Sequence, residues 1–116
     1  MSKILKIAIP SDDGVTVKTS LCSSRGYVVA TIISGIIVHQ EMRWNLLSEI
    51  MTAFDGRYYN LHDCTHVIFH VISERRREIL SGKGIEVILT DNDSVNEVLV
   101  DFLAIASAYE HKKQIA

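Results

Sequence analysis

Cys22 is the residue in this chain best suited to hold a soft metal. A thiolate is the donor that iron, molybdenum and copper favour in sulfide centres. Cys22 stands among small hydroxyl residues, Ser20, Ser23 and Ser24, and its plainer reading is a half-buried small residue of that loop. A second group, His62, Cys64, His66 and His70, falls within nine residues. Its spacing argues against a single metal site. Residues 65–72 read as a strand, and at roughly 3.3 Å per residue His66 and His70 share a face but stand about 13 Å apart. Cys64 and His66 come closer, but at the start of the strand, whereas ligand sites of open α/β sheets favour the carboxyl ends. His70 lies toward that end. It is the candidate imidazole donor, with a satisfied sheet or interface histidine as the alternative. His62, Cys64 and His66 read as structural.

The remaining chemistry-bearing residues do not assemble into an active site. Asp12 and Asp13 are adjacent acids, but two-metal cleavage needs several converging carboxylates. The first strand has none in 4–10 and the fourth has none in 65–72. The two aspartates therefore read as turn formers, and a nuclease is not expected. Arg75-Arg76-Arg77 at a helix start could attract an anion, but a solvated charged face is the plainer reading. No serine sits in a nucleophile motif, and no glycine-rich phosphate loop is present. Catalytic turnover is not expected.

The elements that must position these residues follow from periodicity and turn chemistry. Residues 3–9 read as a strand closed by Pro10-Ser11-Asp12-Asp13-Gly14. Residues 26–33 and 36–42 are β-branched runs separated by Ser34-Gly35, the pattern of a tight antiparallel hairpin. Leu46, Leu47, Ile50, Met51 and Phe54 recur at helical spacing, with Asn45 as cap and Asp55-Gly56 as stop. Residues 65–72 are nearly continuously apolar, as a strand covered on both faces should be. Ser73 caps a helix through Leu80 that ends at Gly82 or Gly84, and residues 85–89 are the last strand. Ser94 with Glu97 makes a capping box for a helix whose stripe is Val95, Val98, Leu99, Phe102, Leu103 and Ala106. Ile105 lies off that stripe and could extend an apolar patch toward a homo-oligomer interface.

The order β-β-β-α-β-α-β-α predicts an α/β fold: one domain over 1–116 with a five-stranded mixed sheet, helices on both faces and a ribonuclease H-like motif. The first strands pair through hairpins, while the later βα units need crossovers into parallel positions. Composition agrees. Of 116 residues, 47% are hydrophobic and 22% charged, which supports one real core. A net charge of −2 lacks the basic footprint of a nucleic-acid binder. The longest apolar run, 27–38, is interrupted by Thr31, Ser34 and Gly35 and is too short to span a membrane. Residues 1–6 lead straight into a strand pattern without a signal-peptide cleavage region. Two cysteines cannot build a disulfide framework, and a cytoplasmic location is expected.

Three stretches together resemble the dinitrogenase iron-molybdenum cofactor biosynthesis family, small proteins that bind or carry iron-molybdenum cofactor precursors and related clusters. The first is Lys6-Ile7-Ala8-Ile9-Pro10-Ser11-Asp12-Asp13-Gly14 followed by Val17, and the second is the hairpin over 27–38. The third runs from Asp63-Cys64-Thr65-His66-Val67-Ile68, through the helix to Leu80, to Gly84-Ile85-Glu86-Val87-Ile88-Leu89-Thr90-Asp91. Val95, Glu97 and Leu99 fit the family's last helix, so that the likeness covers most of 3–104. It implies the ribonuclease H-like fold and a nitrogen-fixation-related role. It also implies a site loop, because the family's His-Phe-Gly-Arg stretch falls on Ser20-Leu21-Cys22-Ser23.

The histidine of that stretch is replaced here, and a thiol lies two positions later. The family's glycine-rich loop after the fourth strand falls on His70-Val71-Ile72-Ser73, then Arg75-Arg76, with no glycine. The His/Gly-rich segment that some members carry ahead of the fourth strand is absent. The resemblance thus implies a non-catalytic carrier or accessory protein for an iron-molybdenum or other metal-sulfur cofactor, with Cys22 as metal ligand and His70 as a second cofactor contact. Its partners would be the cofactor or a cofactor-assembly protein, not nucleic acid or membrane. The alternative is a metal-free interaction module that keeps the family fold.

Overall fold

The computed structural model describes residues 4–18, 25–44, 61 and 63–115. Five strands and two helices follow in order: β1 (Ile4–Pro10), β2 (Gly26–Ile33), β3 (Ile36–Trp44), β4 (His66–Phe69), α1 (Glu74–Gly82), β5 (Glu86–Leu89) and α2 (Val95–Ile115). The strands form one mixed sheet in the order β3-β2-β1-β4-β5. β1–β2 and β2–β3 are antiparallel, whereas β1–β4 and β4–β5 are parallel. This is the expected five-stranded α/β architecture. The helix expected over 46–54 lies outside the described residues.

Side-chain alternation sorts the sheet into two apolar layers. Ile7 and Ile9 of β1, Val28, Ala30 and Ile32 of β2, and Ile68 of β4 pack with Val95, Val98, Leu99 and Phe102 of α2. The opposite parity, Ala8, Tyr27, Val29, Val67 and Phe69, packs with Leu80 of α1 and with Leu61, Cys64 and Ile85. Helices therefore cover both faces, as the nearly all-apolar central strands require.

The local signals act as their chemistry dictates. Ser34 and Gly35 both take positive φ, 53° and 78°, which makes the two-residue turn that matches strand twist. Ser73 Oγ accepts from the Arg76 amide at 3.3 Å, and Ser94 Oγ accepts from the Glu97 amide at 3.3 Å, capping α1 and α2. Gly26 is needed for close approach, because a Cβ there would lie 2.5 Å from the Arg43 carbonyl oxygen of β3.

Strand bounds differ from expectation in β1, β3, β4 and, by one residue at its start, β5. β4 covers 66–69 rather than 65–72, since all four residues of β5 pair with 66–69 and the ladder ends with them. β3 continues to Trp44 because Arg43 and Trp44 find partners in Tyr27 and Gly26. β1 includes Pro10, which sits beyond the short β1–β4 ladder of Ile7 and Ala8 and so forfeits no bond by lacking an N–H.

One polar clasp holds the segment before β4 over the sheet. Asp63 accepts from Arg43 Nη1 at 2.5 Å and Nη2 at 2.9 Å, a bidentate pair, and from Lys6 Nζ at 3.0 Å. Arg43 is itself steadied by Glu41 at 2.9 Å. The hydrogen bonds from Arg43 hold the Asp63 carboxyl well below the usual carboxylate range, against an opposing effect of burial, and Lys6 adds a smaller lowering. Beneath the clasp, Cys64 is 5% exposed. Burial, reinforced by the Asp63 charge, pushes its thiol up to about 11.

Two outcomes follow. Phe102→Ala should cost about 3–5 kcal/mol in chemical denaturation, because the ring is buried where α2 meets the sheet; a loss well below 1 kcal/mol would contradict this packing. A carboxylate whose folded pKa is depressed adds stability above its unfolded value, about 3.9, and loses it as pH falls toward the folded value. The urea midpoint should therefore fall on acidification below about pH 4, and Asp63→Asn should flatten that part of the profile. Parallel wild-type and Asp63→Asn profiles would contradict the clasp.

Candidate functional site

The carboxyl ends of β1, β4 and β5 share one end of the sheet, and their exit loops are laced together. Leaving β1, Ser11 Oγ accepts from the Gly14 amide at 2.9 Å, and Asp13 Oδ1 accepts from the Val15 and Thr16 amides at 2.9 and 2.8 Å. Asp12 Oδ1 accepts from the Arg25 amide at 2.7 Å, and its Oδ2 pairs with Lys18 Nζ at 3.0 Å. Both carboxyls are held below the ordinary carboxylate value, Asp12 chiefly by the Arg25 amide and Asp13 by the amides of Thr16 and Val15. The aspartates are spent on turns, as the sequence suggested.

That loop is stitched to the one leaving β5. The Val17 amide donates to the Asp93 carbonyl at 2.7 Å, the Val95 amide donates to the Val15 carbonyl at 2.9 Å, and Thr16 bridges Ser94. His70 joins from the end of β4. Its Nε2 lies 2.5 Å from the Asn92 carbonyl oxygen and 3.5 Å from Asp93 Oδ1. A carbonyl only accepts, so Nε2 carries the proton and, in the neutral ring, Nδ1 carries the lone pair. Asn92 is fixed in turn: its amide donates to Thr90 Oγ1 at 3.2 Å and its Nδ2 to Asp101 Oδ2 at 2.7 Å.

Cys22 lies outside the described residues. The described residues on either side of its segment are both tied to the exit of β1. The Lys18 amide donates to the Pro10 carbonyl at 2.8 Å, and Arg25 is held by Asp12.

His66 and Cys64 sit at the other end of β4. His66 Nδ1 is 2.8 Å from Thr65 Oγ1 and Nε2 is 3.1 Å from Glu86 Oε2, while the ring meets Phe102 edge-on at 5.2 Å. This histidine belongs to the core and its rim. His62 lies outside the described residues. Among the described residues no group of three His, Cys, Asp or Glu could hold a metal ion. An open groove of about 480 Å³ between α1 and β5 is lined by Glu74, Glu78 and Glu86 with Arg77, an acidic surface ill-suited to an anionic sulfur cluster. Arg75 and Arg77 are exposed on α1.

Sequence reasoning missed the Asn92 carbonyl beside His70, because a backbone acceptor leaves no residue-type signal. It also missed the clasp of Lys6, Arg43 and Asp63, whose members are far apart in the chain. The turn aspartates and both helix caps were visible from residue type and spacing.

No described helix is long and apolar enough to cross a membrane. No protein-family model matches the chain, and no curated protein matches it by sequence. Solved structures do. A crystal structure from Methanocaldococcus jannaschii, of a protein named provisionally as a dinitrogenase, is 17% identical with a TM-score of 0.70, over 88% of this chain and 90% of that one. An NMR structure of that protein is 20% identical with a TM-score of 0.70, over 90% and 92%. The apo form of the orange protein from Desulfovibrio gigas is 20% identical with a TM-score of 0.64, over 90% and 91%. These likenesses span almost the whole of each chain, and at this identity they establish that the chain has the fold of the provisional dinitrogenase and of the orange protein.

Proposed function

We propose that this chain is a small, non-catalytic cytoplasmic carrier or accessory protein whose cargo is an iron-molybdenum or related metal-sulfur cofactor. The cargo is received at the carboxyl end of the sheet and passed to or from a cofactor-assembly protein, in a nitrogen-fixation-related setting. Cys22 supplies a thiolate and His70 an imidazole. The observation that carries this reading is the state of His70. Ligating histidines characteristically donate their other ring N–H to a carbonyl or carboxylate, which fixes the tautomer and aims the free nitrogen. His70 has that arrangement through Asn92 and Asp93, at the end of the sheet where both flanks of the Cys22 segment are held.

The donor chemistry fits such a cargo, since a thiolate and a neutral imidazole suit iron, copper and molybdenum-sulfur centres. Cys64 does not fit, because its thiol is buried and its pKa is raised. The fold supports the reading as well, being that of a protein whose structure was solved as an apo form.

A second reading, a metal-free interaction module, is favoured by the exposed apolar residues near the same end. Val15 is 65% and Val71 55% exposed, and such side chains suit a protein contact. Anaerobic reconstitution with iron, molybdate and sulfide separates the two. The carrier should take up metal and show sulfur-to-metal charge-transfer absorption. Cys22→Ser should abolish most of that uptake, His70→Ala should lower it, and Cys64→Ser should leave it nearly unchanged. Equal uptake by wild type and Cys22→Ser would remove Cys22 from the site. No uptake by wild type would leave the interaction module.

A further inference from the structure

β3 forms one edge of the sheet, and apart from Glu41, Arg43 and one irregularity it lacks the devices that keep edge strands from pairing. It is nine residues long, contains neither proline nor lysine, and carries one register irregularity, opposite Thr31 and Ile32. The other edge, β5, is only four residues and bears an exposed Glu86. On β3 the consecutive residues Val38, His39 and Gln40 are all exposed, Val38 at 55%, as are Ile36 at 64% and Trp44 at 52%.

Backbone polar groups alternate in direction along this edge. The Gly26 carbonyl accepts from the Ser11 amide at 3.0 Å, so Gly26 turns its polar groups toward β1. By the two-residue period of a strand, Val28 and Ala30 do the same. Their partners on β3, Met42 and Gln40, therefore aim N–H and C=O away from β2, toward the open edge.

We propose that β3 is the seam of a symmetric homodimer, in which two copies pair antiparallel about Met42 and the two sheets become one. Charge complementarity selects both the occupant and the register. An isologous two-fold places residue i opposite j and j opposite i. Centred on Met42, it sets Glu41 opposite the partner's Arg43, and Arg43 opposite the partner's Glu41, while Gln40 faces the partner's Trp44. These four charges then alternate in sign on one face, extending the Glu41–Arg43 pair already present within each chain. Centred on Glu41 instead, the two-fold would set Glu41 against the partner's Glu41, an unfavourable like-charge pair. Centred on Gln40, it would draw the irregular stretch around Val38 into the ladder. The Met42 register uses only 40–44, where pairing to β2 is regular.

Sedimentation velocity on the full chain tests this. Wild type should sediment as a dimer at about 100 µM. Gln40→Pro removes an N–H aimed at the partner, at an edge position where proline is tolerated; it should sediment as a monomer with an unchanged circular-dichroism spectrum. Glu41→Lys turns two attractive cross-pairs repulsive and should weaken association by roughly tenfold or more. It also serves as the test if the proline variant does not fold. A wild type that remains monomeric, or a Gln40→Pro variant that folds and still dimerises, would overturn the seam. Undiminished association of Glu41→Lys would overturn the register.

Discussion

β1 is the strand on which everything else is hung. It is bonded to β2 along one edge and β4 along the other, and it is covered above and below. Ile7, Ala8 and Ile9 have no exposed surface. Such a position admits few residue types, since any polar side chain there would be buried without a partner. It also fixes direction. By pairing antiparallel with the hairpin and parallel with the βαβ unit, β1 gathers the exits of three strands at one end. The laced loops around His70 are a consequence of that choice.

The two ends of the parallel strands are built differently. At the amino end, Asp63, Arg43 and Lys6 make a clasp of full charges over a buried thiol, while His66 is engaged on both nitrogens. Such an end has little chemistry left to offer. At the carboxyl end the fastening is done mainly by backbone groups and turn carboxylates, Asp12, Asp13 and the amides they accept. The two ends are thus secured by different means, paired side-chain charges at one and main-chain amides and carbonyls at the other.

Most of the scaffold could be read from the chain. Strand and helix identity rests on local periodicity, and the Ser34-Gly35 turn and the Ser73 and Ser94 caps rest on single-residue chemistry, so each was visible within a few positions. The length of β4 was not, because its limit is imposed by β5, some twenty residues on. Nor was the clasp, since Arg43 and Asp63 are brought together only once β3 and the segment before β4 are in place. For the site, the sequence singled out His70 but not the proton on Nε2. That depends on a main-chain carbonyl that every residue possesses and only the folded loop aims.

Asp12 fastens both sides of the segment that follows the exit of β1. One carboxylate holds the Arg25 amide and the Lys18 ammonium, so the stems on either side of residues 19–24 are fastened by a group outside that segment. Part of the entropic cost of bringing the stems together is thereby met by the framework. Substitutions between Lys18 and Arg25 can therefore accumulate with both end points still held. A fold fastened this way can vary its loops long before it varies its shape.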